Sequence, residues 1–257
     1  MTLDHSPAVT PLACGSRLGS QDLSLLAAAI VAPAALAVLA SFVERFVAWL
    51  IAGEFPIELR ARKKFRDRAT RAMRELRKEE ATGDIRDGSG RRYRVGVFFL
   101  LAGDLEKAAA AFDWFDEKFP EDIGEPIFYL YGALAAYRQG DLLKARTRLA
   151  NALLGNIYLL PLLIEERIDT SGIWHASNWG EASYLRGVAE FLNEPTSNER
   201  RWMAVEWNST PFVALREGYL ATYRALNQEQ EFSRRGIILS KWEKVRAKCF
   251  AMLTREK

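Results

Sequence analysis

Tyr93-Arg94-Val95-Gly96-Val97-Phe98-Phe99-Leu100-Leu101-Ala102-Gly103-Asp104-Leu105-Glu106-Lys107-Ala108, continued by Phe112, Phe115 and Pro120, is the stretch on which the fold turns. It returns at an offset of thirty-seven residues as Tyr129, Gly132, Ala133 and Tyr137, then Gly140-Asp141-Leu142-Leu143-Lys144-Ala145, then Leu149 and Ala152. Stacked helical pairs leave small and large residues at fixed offsets, so a return of this kind is the mark of a helical array. Gly96 and Ala133 allow close approach of the paired helix, Gly103 and Gly140 serve the turn, and Ala108 and Ala145 sit where two helices touch. Phe112, Phe115 and Leu149 fill the space between pairs.

At these residues the chain resembles the tetratricopeptide repeat family, whose thirty-four-residue pattern has small residues at eight and twenty, an aromatic at twenty-four and proline at thirty-two. Gly96, Ala108, Phe112 and Pro120 meet all four positions in the first repeat. The second is looser, since Pro126 lies in the connection and no proline closes it. A third, degenerate unit is expected from Gly187 to Pro211, after an insertion over roughly Gly155 to Asn178. A fourth pair uses Phe212 to Leu226 and then Ile238, Trp242, Val245, Cys249 and Leu253. Two pairs alone would leave apolar faces uncovered, so the degenerate units are required as partners or caps. The expected class is all-α: an antiparallel helix-pair solenoid over 91–257, preceded by a leader (1–22), a hydrophobic helix (23–53) and a basic amphipathic helix (57–82).

Leu23 to Val43 holds twenty-one residues without a charge, the length a helix needs to span the roughly 30 Å hydrocarbon core. Eight are Ala and one is Pro33, so the drive to insert rests on ten Leu, Ile, Val and Phe residues, together a few kcal/mol at roughly 0.3–0.6 kcal/mol each. Arg17 is the sole Lys or Arg before the run, whereas ten follow between Arg60 and Lys78, which predicts an outside N-terminus and a cytoplasmic C-terminal domain. Single-pass anchoring is the leading reading. The alternatives are a buried helix of a soluble cytoplasmic protein and a signal peptide cleaved after Ala37, against which the polar leader counts.

The net charge of +3 hides that cluster of Arg60, Arg62, Lys63, Lys64, Arg66, Arg68, Arg71, Arg74, Arg77 and Lys78. Phe65, Ala69, Ala72, Met73 and Leu76 form one apolar stripe through it, so residues 59–81 read as a helix with charges on the remaining surface. Such a face attracts anionic headgroups at roughly 1 kcal/mol per basic residue near a membrane. Nucleic acid is the weaker alternative, since no reading motif accompanies the charge. Cys14 and Cys249 support neither a disulfide framework nor a cysteine metal site.

His5 and His175 are the only histidines, which leaves little for a catalytic triad or metal cluster, and no phosphate-binding glycine loop, zinc helix or calcium loop occurs. No cofactor, metal or catalytic residue is therefore expected. His175, Ser177 and Glu181 can be drawn as base, nucleophile and acid, but close sequence neighbours seldom give triad geometry. Trp174, His175 and Trp179 are better read as pinning the inserted loop to the helices, or as anchors for a partner. The family resemblance implies that the first helix of each pair lines a groove for a peptide or helix. It maps that groove onto Tyr93, Val97, Leu100 and Leu101, and onto Leu130, Leu134, Tyr137 and Arg138. These are mostly apolar, so the expected partner is an apolar peptide or helix of another protein. The expectation is a membrane-anchored adaptor; the alternative is a soluble enzyme or regulatory domain with a small-molecule pocket near Trp174 to Glu181.

Overall fold

The computed structural model describes residues 57–83 and 85–254, and these form ten α-helices with no strand among them. The hydrophobic run at 23–43 and the cleavage point at Ala37 lie outside the described residues. No helix among the described residues is long and apolar enough to cross a membrane.

Helix α1 (Ile57–Ala81) contains no Gly or Pro and stops before Gly83, which has φ 82°. Ala69, Met73 and Leu76 are buried, and Phe65 and Ala72 pack partly against the core. Full burial of a Met or Leu side chain contributes about 1.5–3 kcal/mol, which holds a helix whose other faces are charged. Its C-terminal half is clamped by polar contacts: Arg91 reaches Glu75 and Glu79 at 2.7 Å each, and the Trp114 indole donates to Glu80 at 3.2 Å.

The repeated sequence folds into two hairpins, α2 (Arg91–Leu101) with α3 (Leu105–Lys118), and α4 (Pro126–Gln139) with α5 (Leu142–Gly155). The connections are copies of one another. Gly103 and Gly140 take left-handed φ of 77° and 81°. In the first turn Asp104 N–H donates to the Phe99 carbonyl at 2.9 Å and Gly103 N–H to that of Leu100 at 2.9 Å. In the second, Asp141 donates to Ala136 and Gly140 to Tyr137, both at 3.0 Å, again thirty-seven residues on. This pairing satisfies carbonyls that a helix end leaves open. The same aspartates then cap the next helix, their carboxylates accepting from Lys107 N–H at 3.2 Å and Lys144 N–H at 3.0 Å. Gly96 faces the Phe112 ring so closely that a Cβ would stand 2.7 Å from it, which is why the first hairpin needs glycine there.

After α5 the chain leaves the array. Short α6 (Leu159–Ile164) ends at Glu165, a non-glycine residue at φ 59°. Two 3₁₀ turns (Asn178–Gly180 and Ala189–Phe191) flank short α7 (Tyr184–Gly187), and α8 (Ser197–Trp207) starts on a reciprocal Thr196/Glu199 capping box. The degenerate helix pair expected from Gly187 to Pro211 is therefore a turn and a single helix. Pro211, read as the end of a repeat, instead lies in the first turn of α9 (Thr210–Gln228), where the missing N–H costs nothing. Helices α9 and α10 (Phe232–Leu253) form the third hairpin, and it is this hairpin that packs on α5.

Candidate functional site

The side chains expected to line an open groove on α2 and α4 are covered by the chain itself. Tyr93, Val97, Leu100, Leu130 and Leu134 are buried, and Leu101 packs partly against the core. Tyr93 donates from its hydroxyl to Asp122 at 2.8 Å, and burial together with that bond pushes its pKa up to about 12. Tyr137 stacks on Trp202 with centroids 4.6 Å apart. Arg138 donates to Glu199 at 2.7 Å and to Glu194 at 3.4 Å. The Tyr131 hydroxyl donates to the Phe191 carbonyl at 2.9 Å, and the Arg94 guanidinium lies 5.2 Å from the Phe191 ring centre. These contacts come from residues beyond the insertion, Phe191, Glu194, Glu199 and Trp202. Five of the eight expected groove positions are thus core side chains rather than exposed ones.

An open cleft is found elsewhere, between the second hairpin and the third. Its volume is about 760 Å³. Tyr129 and Leu154 come from α4 and α5, Tyr219 and Tyr223 from α9, Trp242 and Phe250 from α10, and Trp179 from the inserted loop. Gly218 helps set the far wall, because Trp242 lies where its Cβ would be. Tyr219 and Tyr223, one helical turn apart, stack at 4.1 Å, and Trp174 continues the stack on Tyr223 at 6.2 Å under the Arg235 guanidinium, 4.7 Å from the indole.

The lip of this cleft is held by Asn156, which is 0% exposed. Its amide nitrogen donates to the carbonyls of Trp179 at 2.6 Å and Glu181 at 3.0 Å, and its oxygen accepts from Tyr158 N–H at 3.0 Å. Trp174 N–H donates to the Tyr223 carbonyl at 3.0 Å, tying the loop to α9. The Glu181 carbonyl also accepts from Tyr184 N–H at 3.2 Å, whereas the Trp179 carbonyl has the Asn156 amide as its partner, so one buried Asn ties the loop to the end of α5 where periodicity has nothing to say.

Of the loop residues singled out in the sequence, Trp174 and Trp179 thus border the cleft region, and His175 packs behind it, its Nε2 3.3 Å from the Tyr158 hydroxyl and its Nδ1 sealed without a partner. His175, Ser177 and Glu181 are not linked by hydrogen bonds; the Glu181 carboxylate accepts from Ser183 at 2.9 Å. No cluster of three or more His, Cys, Asp or Glu suited to a metal occurs among the described residues.

Burial raises the tyrosine pKa values in the cleft: Tyr219 well above the usual range, and Tyr223 and Tyr129 above their ordinary value. All three therefore present neutral hydroxyls at neutral pH. Tyr129 accepts from Gly124 N–H at 3.0 Å. Neither the Tyr219 nor the Tyr223 hydroxyl has a hydrogen-bond partner among the described residues, and neither is sealed in the core. At the rim Arg246 pairs with Glu243 at 2.7 Å, an exposed pair of little energetic weight. The Trp174 to Glu181 segment, expected from the sequence as the place of a pocket, contributes Ala176, Ser177, Trp179 and Gly180 to this cleft; the other walls come from residues distant along the chain. The chain matches no family model, no curated protein and no solved structure.

Proposed function

We propose that this chain is a protein–protein interaction scaffold rather than an enzyme, and that it holds a segment of its partner in the aromatic cleft between the second and third hairpins. One observation carries the reading: a cleft lined by Tyr129, Tyr219, Tyr223, Trp179 and Trp242 lies where the second and third helix pairs meet. Tyr and Trp are the residues that most often anchor partners in desolvated pockets. The repeated helix-turn-helix sequence and its resemblance to the tetratricopeptide family support the same reading.

The membrane anchor belongs to this proposal. Leu23 to Val43 would tether the scaffold, with α1 following it in sequence and presenting exposed Lys63, Lys64, Arg71 and Lys78 toward anionic headgroups. The second reading, a small-molecule site, is favoured by the cleft volume of about 760 Å³ and by the contribution of Ala176 to Gly180 to its wall, since ligand pockets of roughly 300–1,000 Å³ are lined in this manner.

The test is a pull-down with the detergent-solubilised full chain, comparing wild type, Tyr223→Glu in the cleft and Val205→Ser on the exposed outer side of α8. Loss of a specific partner with Tyr223→Glu alone, at unchanged helicity, is the expected result. Equal recovery by all three removes the cleft from partner binding.

A further inference from the structure

We infer that the pocket between α1 and the first hairpin binds a phosphomonoester, a phosphate group joined to one organic substituent. The site lies apart from the aromatic cleft and stands whether or not the cleft holds a partner. Its volume is about 460 Å³. Thr70, Arg74 and Arg77 line it from α1 and Lys107 from α3, over a floor of Met73 and Phe99, which are 9% and 5% exposed. No carboxylate among the described residues lines it.

What marks these cations is that the fold does not satisfy them. Arg91, Arg92, Arg94, Arg138, Arg146 and Arg148, the arginines of α2, α4 and α5, each meet a carboxylate. Arg74 has no hydrogen bond or ion pair among the described residues, and Arg77 feels only the more distant charge of Glu80. The acids of the same stretch of α1 are engaged elsewhere: Glu75 and Glu79 by Arg91 at 2.7 Å each, and Glu80 by Lys118 at 3.0 Å and the Trp114 indole at 3.2 Å. Arg74 and Arg77 stand one turn apart, where like charges repel. The Lys107 ammonium lies 2.7 Å from Asp104 and 6.0 Å from the centre of the Phe99 ring, so it adds a third cation and keeps donors to spare.

Set against Asp104, the three cations leave two positive charges in excess. A carboxylate or a phosphodiester brings one negative charge and neutralises half of that. A phosphomonoester brings about −1.5 to −2 at neutral pH and three acceptor oxygens, which suit two guanidinium forks, an ammonium and the Thr70 hydroxyl. A bare phosphate ion would leave the apolar floor uncovered, whereas the carbon substituent of an ester can lie on Met73 and Phe99. A lipid headgroup and a soluble phosphate ester share this chemistry.

The experiment titrates the detergent-solubilised full chain, by calorimetry, with inorganic phosphate, glycerol phosphate, dihexanoyl phosphatidic acid, dihexanoyl phosphatidylglycerol and a polyglutamate peptide. Wild type is compared with Arg74→Gln/Arg77→Gln in the pocket and with Lys64→Gln/Arg71→Gln, which removes the same charge from exposed positions of α1 outside the lining. Both variants should unfold at the wild-type temperature, because all four side chains are exposed. The phosphomonoesters should bind more tightly than phosphatidylglycerol or the peptide, and the pocket variant should weaken them roughly 10-fold, against roughly 2-fold for the control. Phosphatidic acid bound well above glycerol phosphate identifies a lipid headgroup, and parity of the two a soluble ester; either result supports the site. Equal binding of every anion, equal losses in the two variants, inorganic phosphate bound as tightly as the esters, or no binding at all overturns the inference. A preference for the peptide also overturns it and makes this face a protein contact. None of these outcomes bears on the Tyr223→Glu pull-down, so the scaffold reading stands or falls separately.

Discussion

Replacing Asn156 by Ala should loosen the lip of the cleft and measurably destabilise the protein. The change deletes three hydrogen bonds at once: those to the carbonyls of Trp179 and Glu181, at 2.6 and 3.0 Å, and that from Tyr158 N–H, at 3.0 Å. At about 1 kcal/mol net per bond the loss is about 3 kcal/mol. For a domain of this size each kcal/mol moves the unfolding temperature by about 2–4 °C, so a drop of about 6–12 °C is expected. Asn208, whose amide donates to the Ala204 carbonyl at 2.9 Å on the exposed end of α8, provides the control, and its change to Ala should fall within about 0.5 kcal/mol. Scanning calorimetry gives the stability difference, and amide hydrogen exchange reports whether residues 174–181 lose protection ahead of the helices. A shift of less than about 1 °C with unchanged protection over that loop would refute the view that Asn156 fixes it.

Gly96→Ala should cost about 1–2 kcal/mol by urea denaturation, since the new Cβ would press on Phe112 at 2.7 Å, whereas Gly187→Ala, with open space around it, should be neutral or slightly stabilising. Arg138→Ala should destabilise by about 2 kcal/mol, because it leaves the buried Glu199 carboxylate without its cation, and it should leave the affinity of the folded protein for its partner unchanged. A partner titration that tracks Arg138 would instead restore the groove on α4. Asp87 gives a pH signature: burial alone would raise its pKa, but the N–H groups of Arg92 and Arg91 and the Arg91 side chain hold it below the ordinary carboxylate value. A folded pKa below the unfolded one adds stability above pH about 4, lost as pH falls through the depressed value. The stability difference between wild type and Asp87→Asn should therefore be largest at pH 7 and shrink toward pH 3 in urea titrations.

The all-helical class could be read from local sequence because its determinants are local. Phe65, Ala69, Ala72, Met73 and Leu76 fall on one face of a helix by spacing alone, and the Gly-Asp pairs at 103–104 and 140–141 encode identical turns because a left-handed residue and a cap are required at fixed positions. The path of residues 156–209 could not be read, since it is set by contacts far apart in sequence: Asn156 with Trp179, Tyr131 with Phe191, Tyr137 with Trp202. The burial of the expected groove side chains is not legible for the same reason. Spacing puts Val97, Leu100 and Leu134 on an apolar face, but contacts made elsewhere in the chain decide whether that face is open or covered. Pro211 shows a second ambiguity, because proline both follows helices and opens them, and only its neighbours in space distinguish the two.

Photocrosslinking in the intact chain tests the central claim most directly. Tyr223→p-benzoylphenylalanine puts the probe in the cleft, and Tyr137→p-benzoylphenylalanine puts it against α8 at the face once expected to be the groove. The account predicts that the partner is captured from position 223 and that position 137 gives only intrachain products. Capture of the partner from position 137 with none from position 223 would contradict it.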